Sequence, residues 1–163
     1  MRRATQPVGG VGERPGATVS LEGARKTEAE AQQKGRRREV KAAIPADLHE
    51  LVQAAANAHG MSLMAYVRSL SLAALDDERV IRALQPYFKR GYCVGDHAYF
   101  GNGSAATEAL LPEGDGTVRV SVRYSAEEHE RIAYLAFCLD CSVAQAQAIL
   151  LAEAVRLGVK LDG

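Results

Sequence analysis

Four groups of residues in this chain have the type and spacing to do chemistry. Cys138 and Cys141 form a C-x-x-C pair, and Cys93 with His97 forms a C-x3-H, which together supply a candidate zinc set. Thiolates at that spacing also exchange disulfides, but the C-x-x-C closes a helical pattern and has no βαβ context. Packing of small apolar groups accounts for both cysteines. His49-Glu50 and His129-Glu130 each place an imidazole beside a carboxylate, the pairing of a general base. A solvated helix surface is the plainer reading of both. The aromatic residues Tyr87, Phe88, Tyr92, Tyr99 and Phe100 can stack on bases or form a satellite core under a loop. The last group is "TVRVSVRY", residues 117–124, where Arg119, Ser121 and Arg123 alternate with Val118, Val120, Val122 and Tyr124. Period-two alternation puts Arg, Ser and Arg on one face of a strand. Arginine binds guanine O6 and N7 bidentately, and serine bonds several bases; the bland alternative is a polar face turned to water. No nucleophile motif, phosphate loop or catalytic carboxylate pair is present, so no enzyme and no cofactor is expected.

The bulk numbers fit that expectation. With 163 residues, 47% hydrophobic and 25% charged, the chain has the profile of a soluble globular protein of about one domain. No apolar run reaches the roughly 18 residues of a membrane span, no signal peptide is read at the N-terminus, and three cysteines do not make a disulfide framework. A cytoplasmic setting is expected. Net charge is zero, yet residues 1–41 carry +5 and residues 42–163 carry −5. A basic arm on a mildly acidic body is an interaction-tail pattern, so bulk charge alone is not expected to drive nucleic-acid binding.

Residues 1–37, rich in Gly, Ala, Gln, Glu and Arg, read as a disordered basic arm ending in "KGRRR". Val40, Ala42 and Ile44 then alternate with Glu39, Lys41 and Ala43 as a short strand. Pro45 suits the first turn of a helix, whose apolar face is Leu48, Leu51, Val52, Ala55 and Ala56. Gly60 fits a left-handed helix end. Ser62 caps a second helix with Leu63, Tyr66, Val67, Leu70 and Ala74 on its stripe. The stretch that began at Arg119 repeats this grammar. The spacing from Ile44 to Ser62 recurs from Tyr124 to Ser142, so Ile44 aligns with Tyr124 and Ser62 with Ser142 without a gap. Internal duplication is the strongest signal in the chain. The repeats are 38–76 and 117–160. Between them, 77–116 reads as a helix stopped by Pro86, a compact loop or hairpin at "GYCVGDHAYFGNG", and a flexible linker over 101–116.

A compact unit of strand, helix, glycine-containing turn and helix resembles the ribbon-helix-helix DNA-binding fold of the Arc and MetJ type. "VKAAIPADLHELVQAAANAHGMSLMAYV" and "VRVSVRYSAEEHERIAYLAFCLDCSVAQA" carry the resemblance. It implies a mainly α fold with a two-stranded antiparallel ribbon, built as a tandem pseudo-dimer within a monomer. It implies that the ribbon enters the major groove of double-stranded DNA, with Arg119, Ser121, Arg123, Glu39, Lys41 and Ala43 facing the bases. It further implies phosphate contacts at the second-helix starts, Ser62-Leu63 and Ser142-Val143. Arg36, Arg37 and Arg38 of the arm add cations there. Glu39 and Ala43 depart from a good reading set, and Asp47, Glu50, Glu127, Glu128 and Glu130 crowd the first helices, so an asymmetric site is expected. A single-chain tandem protein with a basic arm also resembles the accessory proteins of conjugative and T-DNA transfer, whose partner is a relaxase. A repressor of a plasmid or mobile element is the alternative role. A protein-interaction module without DNA reading is the alternative of another class.

Overall fold

Period-two alternation becomes a strand at both places where the sequence carries it. The computed structural model describes residues 38–102 and 104–161, so the arm, with Arg36 and Arg37, lies outside the described residues. Strand β1 is Arg38–Pro45 and is followed by helices α1, Ala46–Ala58, and α2, Leu63–Leu75. A short helix α3, Glu78–Leu84, leads through a 3-10 turn, Gln85–Tyr87, to a hairpin of β2, Tyr92–Val94, and β3, His97–Tyr99. A second 3-10 turn, Thr107–Leu110, precedes β4, Thr117–Tyr124, and helices α4, Ala126–Leu139, and α5, Val143–Leu157. The described residues are thus mainly helical, with two small antiparallel strand pairs, β1–β4 and β2–β3.

Strand β1 pairs antiparallel with β4, although three helices and the β2–β3 hairpin lie between them along the chain. Val40, Ala42, Ile44, Val120, Val122 and Tyr124 turn inward and are buried. The helices cross over: α5 packs on β1, α2 packs on β4, and α2 and α5 pack on each other. Removing these side chains from water is the main stabilising term. No helix among the described residues is long and apolar enough to cross a membrane; α4 and α5 reach that length only jointly, across a 94° bend.

Local signals explain where the helices start and stop. Ser62, Ser125 and Ser142 cap α2, α4 and α5, each oxygen accepting from a backbone N–H three residues on. Asp77 caps α3, its carboxylate accepting from Arg79 N. Pro45 is the N-cap of α1 and stays in the ribbon opposite Thr117, so it sits one position before the first helical turn expected for it. After α1 the chain turns left-handed at Gly60, φ +66°; after α4 the equivalent turn falls on Asp140 at φ 59°. The side chain at Asp140 makes that conformation less favourable than it is for glycine.

Two further expectations differ from the structure. Leu51, placed by periodicity on the buried face of α1, is 60% exposed. Only α2 and the ribbon cover α1 closely, which leaves Leu48, Val52 and Ala56 as its buried stripe. Residues 104–111, expected as flexible linker, are anchored. Thr107 is buried and donates to the Leu139 carbonyl at 2.6 Å, Lys89 Nζ donates to the Ala105 carbonyl, and Leu110 and Leu111 pack on the core. Three anchoring side chains inside a Gly-, Ala- and Ser-rich stretch gave no periodic signal.

Candidate nucleic-acid interface

Because β1 and β4 bury one face, the opposite face of the ribbon collects the residues between. Glu39, Lys41 and Ala43 on β1 and Arg119 and Arg123 on β4 are exposed, and Ser121 is half-buried. The register sets Glu39 against Arg123, Lys41 against Ser121 and Ala43 against Arg119. Lys41 and Ser121 are themselves counterparts in the alignment of the two repeats, so the strand register is centred on that pair. In the same alignment, Glu39–Arg123 maps onto Arg119–Ala43. All six predicted base-contact residues therefore lie on one ribbon surface.

The two ends of that surface differ chemically. Glu39 accepts from the Ser121 hydroxyl, and Lys41 Nζ lies 4.0 Å from its other carboxylate oxygen. The Ser121 hydrogen bond, with smaller help from Lys41 and Arg123, holds the Glu39 carboxyl below its ordinary range. Glu39 is therefore ionised and occupied. At the other end Arg119 faces a methyl group, and no ion pair engages it among the described residues. Lys41, Ala43 and Arg119 share a cavity of about 400 Å³ with Ala144 and Gln145 of the first turn of α5 and with Leu111 and Pro112. Arg119 and the start of α5 thus face one space.

The two helix starts predicted to hold phosphate also differ. Ser142 and Gln145 form a reciprocal capping box, Gln145 N to Ser142 Oγ and Ser142 N to Gln145 Oε1, both 3.0 Å. At α2 only Ser62 Oγ serves, accepting from Ala65 N at 3.2 Å. More backbone N–H groups are therefore open at Ser62-Leu63 than at Ser142-Val143. Gln145 was not singled out by sequence; the spacing Ser-x-x-Gln at the head of an apolar run was the available signal. Arg38 is exposed at the ribbon end opposite Tyr124.

Of the three glutamates on α4, Glu128 is engaged. Arg68 of α2 grips Glu128 with two nitrogens, and Ser125 N donates to Glu128 at 2.8 Å. Partial burial opposes ionisation of Glu128, but the Ser125 N–H and Arg68 outweigh it and hold the carboxyl low.

The other chemistry-bearing candidates are scattered. Cys93 is exposed on β2, while His97 on β3 lies edge-on to Tyr99 at 4.3 Å. Cys138 is buried with its Sγ 3.5 Å from the Gly91 carbonyl. Among the described residues no three His, Cys, Asp or Glu side chains are arranged to hold a metal ion. Burial pushes the Cys138 thiol up and the Cys141 thiol up to about 11, the reverse of what a thiolate ligand or nucleophile needs. His49 and His129 are half-buried, and their side chains make no hydrogen bond among the described residues. Phe88, Tyr92 and Tyr99 have joined the core, with Phe88 stacked on Tyr92 and Tyr92 on Tyr134, and Tyr87 packs against that core, so of these five only Phe100 is freely exposed for stacking. Compared with protein-family models, with characterised proteins and with solved structures, the chain matches none.

Proposed function

We propose that this chain is a non-catalytic, sequence-specific binder of double-stranded DNA, a tandem ribbon-helix-helix pseudo-dimer that lays the β1–β4 ribbon in the major groove. The observation that carries the reading is the register. The two repeats meet with Lys41 opposite its own counterpart Ser121, so their outward residues form one exposed surface centred on that pair. A major groove roughly 12 Å wide admits such a ribbon, and Arg119 and Arg123 carry the donor forks that suit guanine. Glu39 can accept only from cytosine N4 or adenine N6, which makes it a filter against other bases. The narrower role, an accessory to DNA transfer that positions DNA for a relaxase, rests on the single-chain architecture.

The interaction-module reading draws on one observation, that Glu39 and Ser121 satisfy each other and shrink the reading set. Fluorescence anisotropy separates the two. Wild type and Arg119→Ala/Arg123→Ala are titrated with a duplex selected from a randomised pool and with the pool itself, at two salt concentrations. Selective binding that weakens with salt and is lost in the variant supports ribbon reading, since each neutralised phosphate releases counterion. Equal binding by both proteins refutes it.

A further inference from the structure

The two repeats are not interchangeable where they meet. Ser71 of α2, Gln147 of α5 and Tyr124 of β4 are polar, yet each is at most 1% exposed. The Tyr124 hydroxyl donates to Gln147 Oε1, and Gln147 Nε2 donates to Ser71 Oγ at 2.7 Å. The network therefore runs from the second repeat into the first. The gapless alignment identifies each counterpart: Val67 for Gln147, Leu151 for Ser71 and Ile44 for Tyr124. All three counterparts are apolar and buried. The network thus exists once, and it is complete only where a first repeat meets a second.

We propose that this network is a pairing code: it makes the first repeat select the second and rejects pairing of like repeats between two copies of the chain. The hydrophobic pattern alone permits three pairings, because both repeats carry it. If two second repeats met, each Gln147 would face Leu151 of the other copy. Tyr124 would still satisfy Oε1, but two Nε2 groups would be buried without an acceptor, which costs more than a hydrogen bond contributes. If two first repeats met, Ser71 would face Val67, a smaller fault because a helical serine can bond a carbonyl one turn back. Like pairing of the second repeat is therefore the more strongly rejected. Tethering raises the local concentration of the right partner, whereas the network distinguishes partners. Setting register and partner is the best-attested use of buried polar groups.

The register supplies the reporter. Ser121 lies at the centre of the register, so if two second repeats paired, Ser121 would face its own copy at about 4.5–5.5 Å between Cα atoms, a span a disulfide bridges. The full chain, with Cys93, Cys138 and Cys141 replaced by Ser, Ala and Ser, carries Ser121→Cys and is refolded in oxidised and reduced glutathione. Non-reducing electrophoresis then reads the covalent dimer. Gln147→Val, which removes the orphaned amide, is expected to raise the dimer fraction at least about tenfold, one unmet buried donor being worth about that factor. Ser71→Ala removes the acceptor that distinguishes the pairings and is expected to raise it as well. This second change is mild enough to report if the first variant does not fold. Tyr124→Phe weakens both pairings alike and leaves the fraction unchanged. A flat result for Ser71→Ala, or an equal rise with Tyr124→Phe, overturns the proposal.

Discussion

Helices α1 and α4 hold the same place in the two repeats and meet different surroundings. The C-terminal half of α4 is stitched to the segment between the repeats. Lys89 N donates to the Cys138 carbonyl at 2.7 Å, Arg90 donates to the Phe137 carbonyl at 2.7 Å and lies 4.2 Å over the Phe137 ring, and Cys93 N donates to the Tyr134 hydroxyl at 2.9 Å. Helix α1 has no such cover: Leu51, Ala54, Asn57 and Ala58 are exposed. Its N-cap is Pro45 without a side-chain bond, where α4 has the Ser125–Glu128 capping box. The same sequence pattern thus yields a covered helix and a bare one, because the interrepeat segment docks on only one of them.

The largest test of this contrast lies in the core. Ile132→Ala on α4 should cost about 2–5 kcal/mol, and Val52→Ala at the equivalent place on α1 should cost less by more than the roughly 1 kcal/mol owed to isoleucine's extra methylene, read as urea midpoints at unchanged slope. A difference no larger than that would mean that the cover adds nothing to α4. The next contrast is between the ribbon ends. Arg119→Ala should weaken binding to a selected duplex by about 1–3 kcal/mol, and Arg123→Ala by less, since Glu39 already faces Arg123. A reversed order would show that the compensated end does the reading.

Alkali provides a third test. Burial pushes the Tyr124 hydroxyl up to about 12, and burial likewise pushes Tyr92 up to about 12. An unfolded tyrosine ionises near 10, so the folded state holds these protons longer. Their contribution is complete below about pH 10 and is lost as pH rises through about 12. Unfolding followed at pH 8, 10 and 11 should show this decline, and Tyr124→Phe should flatten it. Ser125→Ala should cost about 1 kcal/mol by removing the cap, a loss α1 cannot mirror. Leu51→Gln should change stability by no more than about 0.5 kcal/mol; a larger loss would mean that α1 is covered after all.

What could be read from sequence was whatever repeats locally. The alternation at Val40–Ile44 and Val118–Tyr124, the serine caps and the gapless alignment located the two long strands and the helices after them, because period and cap chemistry act over a few residues. Contacts that depend on distant partners were hidden. Gln147 is one of two alternating glutamines in "AQAQA", and only its alignment with Val67 marks it as a polar residue at a core position. The Glu39–Ser121 bond requires the register, and the seat of Tyr92 on Tyr134 requires the docked hairpin. Leu51 was misplaced because helical periodicity gives a direction and says nothing of what waits there.

The long separation of β1 from β4 has a consequence for synthesis. The ribosome completes the first repeat before the strand that pairs with it exists. At about 5–20 residues per second, the 71 residues between Pro45 and Thr117 take about 4–14 s to make. Throughout that interval Val40, Ala42 and Ile44 have no β4 to cover them. On a crowded message, the nearest available partners are the same half-made repeats on neighbouring ribosomes, so the order of translation itself creates the competition that the finished molecule must win.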